Sequence, residues 1–328
     1  MNEASGLTAS VYQQVEGDFG LLAPPVALHA VAPTVMAACW LMLRESLIVT
    51  DRVDRGTKEA VATAVSLCNR CPYCVDVHSM TLEAWGTTVP DDPESDHEVR
   101  LVADWARGTA KATTATIPAT VPAAHVPELV GVVLTFHYVN RMVNVFLPDS
   151  PLPPGLPEAA RSRTLRMLGR FMRGAAHPHH APGTSLDLLP AARLPADLGW
   201  TRENPRVADA FARAAAAIDE AGARSAPESV RALLPRMLVD WDGEAPDREV
   251  VIDAVAELPP ADRPAGLIAV QTALTSSCLD LSAIAEFRGT RPDDRSLVEL
   301  TSWASMSAAR RIGEWTGADR RAPDPLIG

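Results

Sequence analysis

An all-α fold is what this sequence predicts, on three observations. The chain is rich in Ala, Leu, Val and Arg and poor in aromatic residues (5%), a composition suited to packed helices. Its apolar residues recur at helical spacing, as in EAVATAVSLCN from Glu59 to Asn69, without the β-branched run that a buried strand needs. Its 28 prolines cut the 328 residues into segments of moderate length. That length exceeds one ordinary domain and is enough for two with substantial cores. The expected organisation is a helical module over residues 1–175, a Pro-rich linker over 176–203, and a second helical module over 204–328.

The first element with chemical content is the helix expected over roughly Thr57 to Leu67, which carries Glu59. A break follows at Asn69 to Pro72. Pro72 suits the first turn of the next helix, which makes Cys71 its N-cap and puts Cys74 in its first turn. The positive end of that helix favours a thiolate at either sulfur. His78 lies one turn further on, and at about 100° per residue Cys71, Cys74 and His78 fall within about 60° of one another on one face. Glu59 belongs to the preceding helix, so only tertiary packing brings it in. The spacing is E-x11-C-x2-C-x3-H. A CxxC pair can cycle between dithiol and disulfide, and Glu and His are residue types that move protons to and from a thiol.

Three other readings compete for these residues. CPYC also occurs at a helix start in glutaredoxins, but there a β-strand precedes it, and the Ala-rich residues before Cys71 do not read as one. Cys68, Cys71, Cys74 and His78 also spell C-x2-C-x2-C-x3-H, close to iron–sulfur or zinc spacing. On a continuous helix they would spread over about 15 Å, although a turn at Asn69 to Pro72 could fold Cys68 back. The third reading treats the cysteines as buried small residues. That is the preferred reading for Cys68 alone, because it leaves Glu59 and His78 unexplained for the others.

Position for position, Glu59, Cys71, Cys74 and His78 match the motif of the AhpD-like alkylhydroperoxidases, within the carboxymuconolactone decarboxylase superfamily, and the chain resembles that family here. The resemblance implies an AhpD-like helical fold and a peroxidase cycle in which Cys74 attacks the peroxide and Cys71 resolves the sulfenic acid. It makes Glu59 and His78 a proton relay, working through water. It also implies a hydroperoxide substrate, a thiol reductant that is a small molecule or a protein (a lipoylated one in some relatives) and a homo-oligomeric assembly; no cofactor or metal is expected. Many members carry a histidine just before the peroxidatic cysteine, whereas this chain has Tyr73. That departure makes redox chemistry more secure than peroxide specificity.

Beyond the motif, Glu128 to Phe146 reads as a buried helix bearing a polar stripe of His137, Asn140, Arg141 and Asn144. The stripe either packs beside the CxxC helix, with Arg141 contacting a carboxylate, or forms a solvated or subunit-facing side. The Pro-rich stretch LPDSPLPPGLP ends this element. In the linker, His177, His179 and His180 have no acidic or Cys partner at fixed spacing and read as solvated loop. The second module looks like a degraded copy of the first. EFRGTRPDD from Glu286 echoes EAWGTTVPDD from Glu83, and Cys278 falls close to the place of Cys74 with no CxxC around it. Such a copy is expected to be catalytically silent and to cover the first module as an attached neighbouring subunit would.

Composition limits the partners. A formal net charge of −11 argues against nonspecific nucleic-acid binding and against an anionic membrane surface. MNEASGLTAS lacks the regions of a signal peptide, and no apolar run reads as approaching a membrane span. Five cysteines in 328 residues are too few for a secreted disulfide framework, so a cytoplasmic protein is expected, in which any disulfide is catalytic.

Overall fold

The computed structural model describes residues 5–86, 97–175 and 180–316, and among them there is no β-strand. The fold is all-α, as the composition and the spacing of apolar residues require. Helix α1 (Gly6–Phe19) stops at Gly20, whose left-handed φ of 74° lets its N–H donate to the Glu16 carbonyl. After the single turn α2 (Pro24–Ala27), helix α3 (Pro33–Leu43) runs on into a π-helical turn, Arg44–Ile48. Asp54 caps α4 (Arg55–Cys68), its carboxylate accepting from the Thr57 N–H at 3.0 Å. Helices α5 (Pro72–Ala84), α6 (His97–Gly108), α7 (Val126–Phe146) and α8 (Glu158–Ala175) complete the N-terminal half.

In the C-terminal half, Asn204 caps α9 (Pro205–Ser225) and Pro205 fills its first position. The helices α10 (Glu228–Val239), α11 (Arg248–Ala256), α12 (Arg263–Leu274), α13 (Leu281–Thr290) and α14 (Asp294–Thr316) follow. Helix α7 is the axis of the molecule, buried on all sides from Val126 to Val143. Along it lie α14 and α4, while α9 packs on both α14 and α3. The apolar side chains of the two halves form one continuous core. Burial all round α7 explains a departure from the sequence reading. The run Ala123–Phe146, with a mean hydropathy of 1.3, is long and apolar enough to cross a membrane by length and composition, but 83% of that window is buried inside the protein. A helix with protein on every side needs no polar face.

The Pro-rich stretch carries only short 3-10 turns, Leu186–Leu188 and Ala196–Thr201. It is tied down by buried charge. Glu45, in the π-helical turn, accepts from the Ser185 hydroxyl at 2.7 Å and the Gly183 N–H at 3.0 Å, and pairs with Arg44 at 2.8 Å. Arg206 reaches both Glu45 and Glu128, and Glu128 pairs with the fully buried Lys58 at 2.5 Å. These pairs lock α3, α4, α7 and α9 in register, since removing any one partner would strand a buried charge. Of the three histidines in this stretch, His180 lies 3.1 Å from Asp18, while His177 and His179 fall outside the described residues.

Candidate functional site

The site begins at the sharp turn between α4 and α5. Arg70 has a φ of 50°, a left-handed conformation that reverses the chain, and the Cys71 N–H donates to the Ser66 carbonyl at 3.0 Å. Cys71 is the N-cap of α5 and Pro72 its first residue. Both thiols are free, and their sulfurs lie 2.8 Å apart. Cys71 has no exposed surface and Cys74 is 2% exposed.

Packing of α5 on α4 supplies what spacing alone could not. Glu59 Oε2 lies 2.6 Å from His78 Nδ1, a direct contact. Glu59 Oε1 accepts from Arg55, one helical turn earlier, at 2.7 Å from Nε and 2.6 Å from Nη2. Arg55 itself lies over the Trp85 ring. Phe136 on α7 packs against the imidazole in a T-shaped pair, with ring centres 4.5 Å apart at 87°. Cys74, His78, Glu59 and Arg55 all line a cavity of ≈ 240 Å³ whose remaining walls are mostly apolar, among them Phe19, Leu43, Val139, Leu168 and Met172. Cys71 is not on its surface.

Electrostatics assigns different states to these groups. Burial alone would raise the Glu59 carboxyl, but the charges and hydrogen bonds of Arg55 and His78 outweigh it and hold it below the ordinary value. Glu59 is therefore anionic at neutral pH. Cys74 goes the other way: burial pushes its thiol well above the ordinary value, the neighbouring Cys71 adds to the rise, and a hydrogen bond from Asn140 opposes it. Desolvation thus opposes the thiolate that the helix start favours. Burial and the two neighbouring thiols push the Tyr73 phenol up to about 12.

Because the Glu59 pKa is lower in the folded state, its share of stability is fully present above the ordinary value near 4.5 and is lost as pH falls through the lower folded one. Thermal unfolding between pH 7 and pH 3 is expected to show a loss beginning below about 4.5. Glu59→Gln should lose less over the same window.

The polar stripe on α7 lies away from the cavity beside Cys74, with His137, Asn140 and Arg141 buried and Asn144 half-buried. Asn69 donates to Asn140 at 3.0 Å, Asn140 donates to Ser66 at 3.1 Å, and Asn144 donates to the Asn69 carbonyl at 3.2 Å. Stripe and turn thus clamp each other immediately before Cys71. Asn140 was legible in the stripe, but its contact with Cys74 was not, because it depends on where α7 crosses α5. Arg55 was missed although its i, i+4 offset from Glu59 is a readable signal. Cys68 is partly buried and donates to the Val65 carbonyl at 3.2 Å, and burial pushes its thiol up to about 12. Among the described residues no three His, Cys, Asp or Glu side chains are grouped to hold a metal. Cys278 is exposed, in a 3-10 turn (Ser276–Cys278) between α12 and α13 rather than in a helical first turn like Cys74.

The roof of the cavity comes from α8, held close to α5 by a glycine. A Cβ on Gly169 would stand 2.5 Å from the Met80 carbonyl oxygen. Gly169→Ala is expected to push α8 outward and cost about 1–3 kcal/mol in denaturant unfolding.

Residues 33–120 match the carboxymuconolactone decarboxylase family, a span that contains Glu59, Cys71, Cys74 and His78. Over 329 aligned residues the chain is 32% identical to a protein of Mycobacterium tuberculosis (strain ATCC 25618 / H37Rv) described as "Alkyl hydroperoxide reductase Rv2159c", covering 96% of this chain and 92% of that one. The chain is an AhpD-like member of the carboxymuconolactone decarboxylase family. In this AhpD-like protein the family match covers α3 to α6, so α7 and α8, which supply Phe136, Asn140, Leu168 and Met172 to the site, come from outside it. The similarity to the mycobacterial protein runs through those helices and on into the C-terminal half.

Proposed function

We propose that the protein reduces organic hydroperoxides with Cys74 and Cys71 as the working pair. The observation that carries this reading is the Glu59–His78 contact of 2.6 Å on the wall of the same apolar cavity that Cys74 lines. The likeness to an alkyl hydroperoxide reductase supports it. Anionic Glu59 holds His78 so that the imidazole takes the Cys74 proton, which the buried thiol does not give up on its own. The thiolate attacks the distal peroxide oxygen, an S–O bond forms as the O–O bond breaks, and the leaving alkoxide takes the proton from His78 to depart as alcohol. Cys71, its sulfur 2.8 Å away, displaces water from the Cys74 sulfenic acid to give a disulfide. A dithiol, small or carried by a protein such as a lipoylated one, returns both thiols by exchange. Since Cys71 is fully buried, the reductant meets this disulfide from the cavity side.

The proposal extends to a cytoplasmic protein that works as a homo-oligomer without cofactor or metal. It also takes residues 204–328 as a silent copy of the first module, separated from residues 1–175 by the stretch 176–203. In support, α12, a turn and α13 repeat the order of α4, a turn and α5, and α14 lies alongside α12 and α7. The test is consumption of an organic hydroperoxide by the full chain with a dithiol donor. Turnover supports the peroxidase. Disulfide exchange without peroxide consumption would favour a thiol–disulfide oxidoreductase, a reading that Tyr73, standing where many relatives have histidine, keeps open.

A further inference from the structure

The guanidinium of Arg141 is buried without an anion to balance it. The residue is 6% exposed. Nε donates to the Ala273 carbonyl at 2.9 Å, and Nη1 donates to the His137 carbonyl at 2.6 Å and lies 3.3 Å from His137 Nδ1. These partners are neutral: burial first, and then Arg141 itself, hold His137 well below the ordinary histidine value. Nη2 has no acceptor among the described residues, nor does any carboxylate there pair with Arg141. A buried cation in this state is costly, and burial draws its pKa down to about 10, opposed only by the Cys68 thiol.

Arg141 lines a second cavity, of ≈ 320 Å³, which shares no residue with the one beside Cys74. Its walls are the Cys68–Arg70 turn, the 275–278 turn after α12, Trp241 and the Lys111–Glu244 ion pair. Three cations, Arg70, Lys111 and Arg141, meet there with one carboxylate, Glu244, which Lys111 already engages. That is a local excess of positive charge in a chain of net charge −11. The volume is at the small end of the range for ligand pockets.

We propose that this cavity binds a compact organic anion through a carboxylate or phosphate group seated on Arg141 Nη2. With Nε and Nη1 already committed to carbonyls, the guanidinium offers one nitrogen rather than a two-pronged fork. Arg70 and Ser277 at the rim are the further contacts. The bound anion bridges the turn that ends at Cys71 to the 275–278 turn, which Asn144 already joins by donating to the Asn69 carbonyl and to Ser276. The inference does not depend on the redox reading, and its test uses no peroxide.

Inorganic phosphate and acetate are the probes, titrated separately into the full chain at an ionic strength held constant with chloride. Tryptophan fluorescence, to which Trp241 in the cavity wall contributes, and the melting temperature are followed. A saturable fluorescence change with a rise in melting temperature is expected for one probe or both, and the probe that acts names the anionic group. Arg141→Gln should bind at least ~10-fold more weakly. Ser277→Asp, at an exposed rim position, leaves Arg141 in place and adds a carboxylate to the wall of the same cavity. It should melt higher than wild type without ligand and lose the response to both probes. A wild type that responds to neither probe would overturn the proposal, as would a Ser277→Asp protein that responds as wild type does.

Discussion

Cys74→Ser is expected to bring hydroperoxide consumption with a dithiol donor down to background, a loss on the order of 10³-fold or more, as when a covalent nucleophile is removed. The size of the effect follows from the geometry of the pair. Cys74 lines the apolar cavity and Cys71, with no exposed surface, does not, so no second thiol is placed to take over the attack. Cys71→Ser should behave differently. It leaves the first chemical step intact, and one equivalent of peroxide is consumed as Cys74 becomes a sulfenic acid, but turnover stops because the partner sulfur 2.8 Å away is gone. A stopped-flow trace with a burst near one equivalent in Cys71→Ser and none in Cys74→Ser separates attacking from resolving thiol. The same burst in both variants would reverse or dissolve the assignment.

His78→Ala is expected to lower turnover by about 10²–10⁴-fold, the range for a positioned general acid–base group, and to change its pH dependence. With the base removed, Cys74 must ionise by itself, and burial and Cys71 hold its thiol well above the ordinary value. The variant's rate should therefore climb with pH well beyond neutrality, in the direction of rising thiolate. Glu59→Gln should show a milder form of this defect, because it keeps the shape beside Arg55 and His78 but removes the negative charge that faces the imidazole. Melting temperatures of both variants separate a lost relay from a lost fold, since Glu59 is fully buried. Wild-type rates and pH profiles in both would remove the relay from the mechanism.

Much of this was legible in the chain itself. Pro72 at the first position of α5, Cys71 as its cap and Cys74 in its first turn follow from local stereochemistry, which sequence encodes directly. The all-α fold follows from the spacing of apolar residues. The environment that local signals cannot encode was less accessible. Burial of Cys74 depends on how the helices pack around α5, so the helix-start argument could see the dipole that favours a thiolate but not the desolvation that opposes it. The stripe from His137 to Asn144 was visible as a pattern, yet its role as a buried clamp required knowing that the 66–71 turn and the 273–276 segment reach α7 from opposite halves of the chain. The length and apolar character of α7 record its burial among helices from both halves of the chain, a tertiary fact that the sequence shows only as a long apolar run.

The most direct test of the dithiol account is peptide mass mapping of the reduced full chain after exposure to one equivalent of an organic hydroperoxide, with free thiols blocked at quench. The account predicts an intramolecular Cys71–Cys74 disulfide, with Cys39, Cys68 and Cys278 recovered as blocked thiols. Recovery of Cys71 and Cys74 as blocked thiols, or a disulfide joining either of them to Cys68, would contradict it.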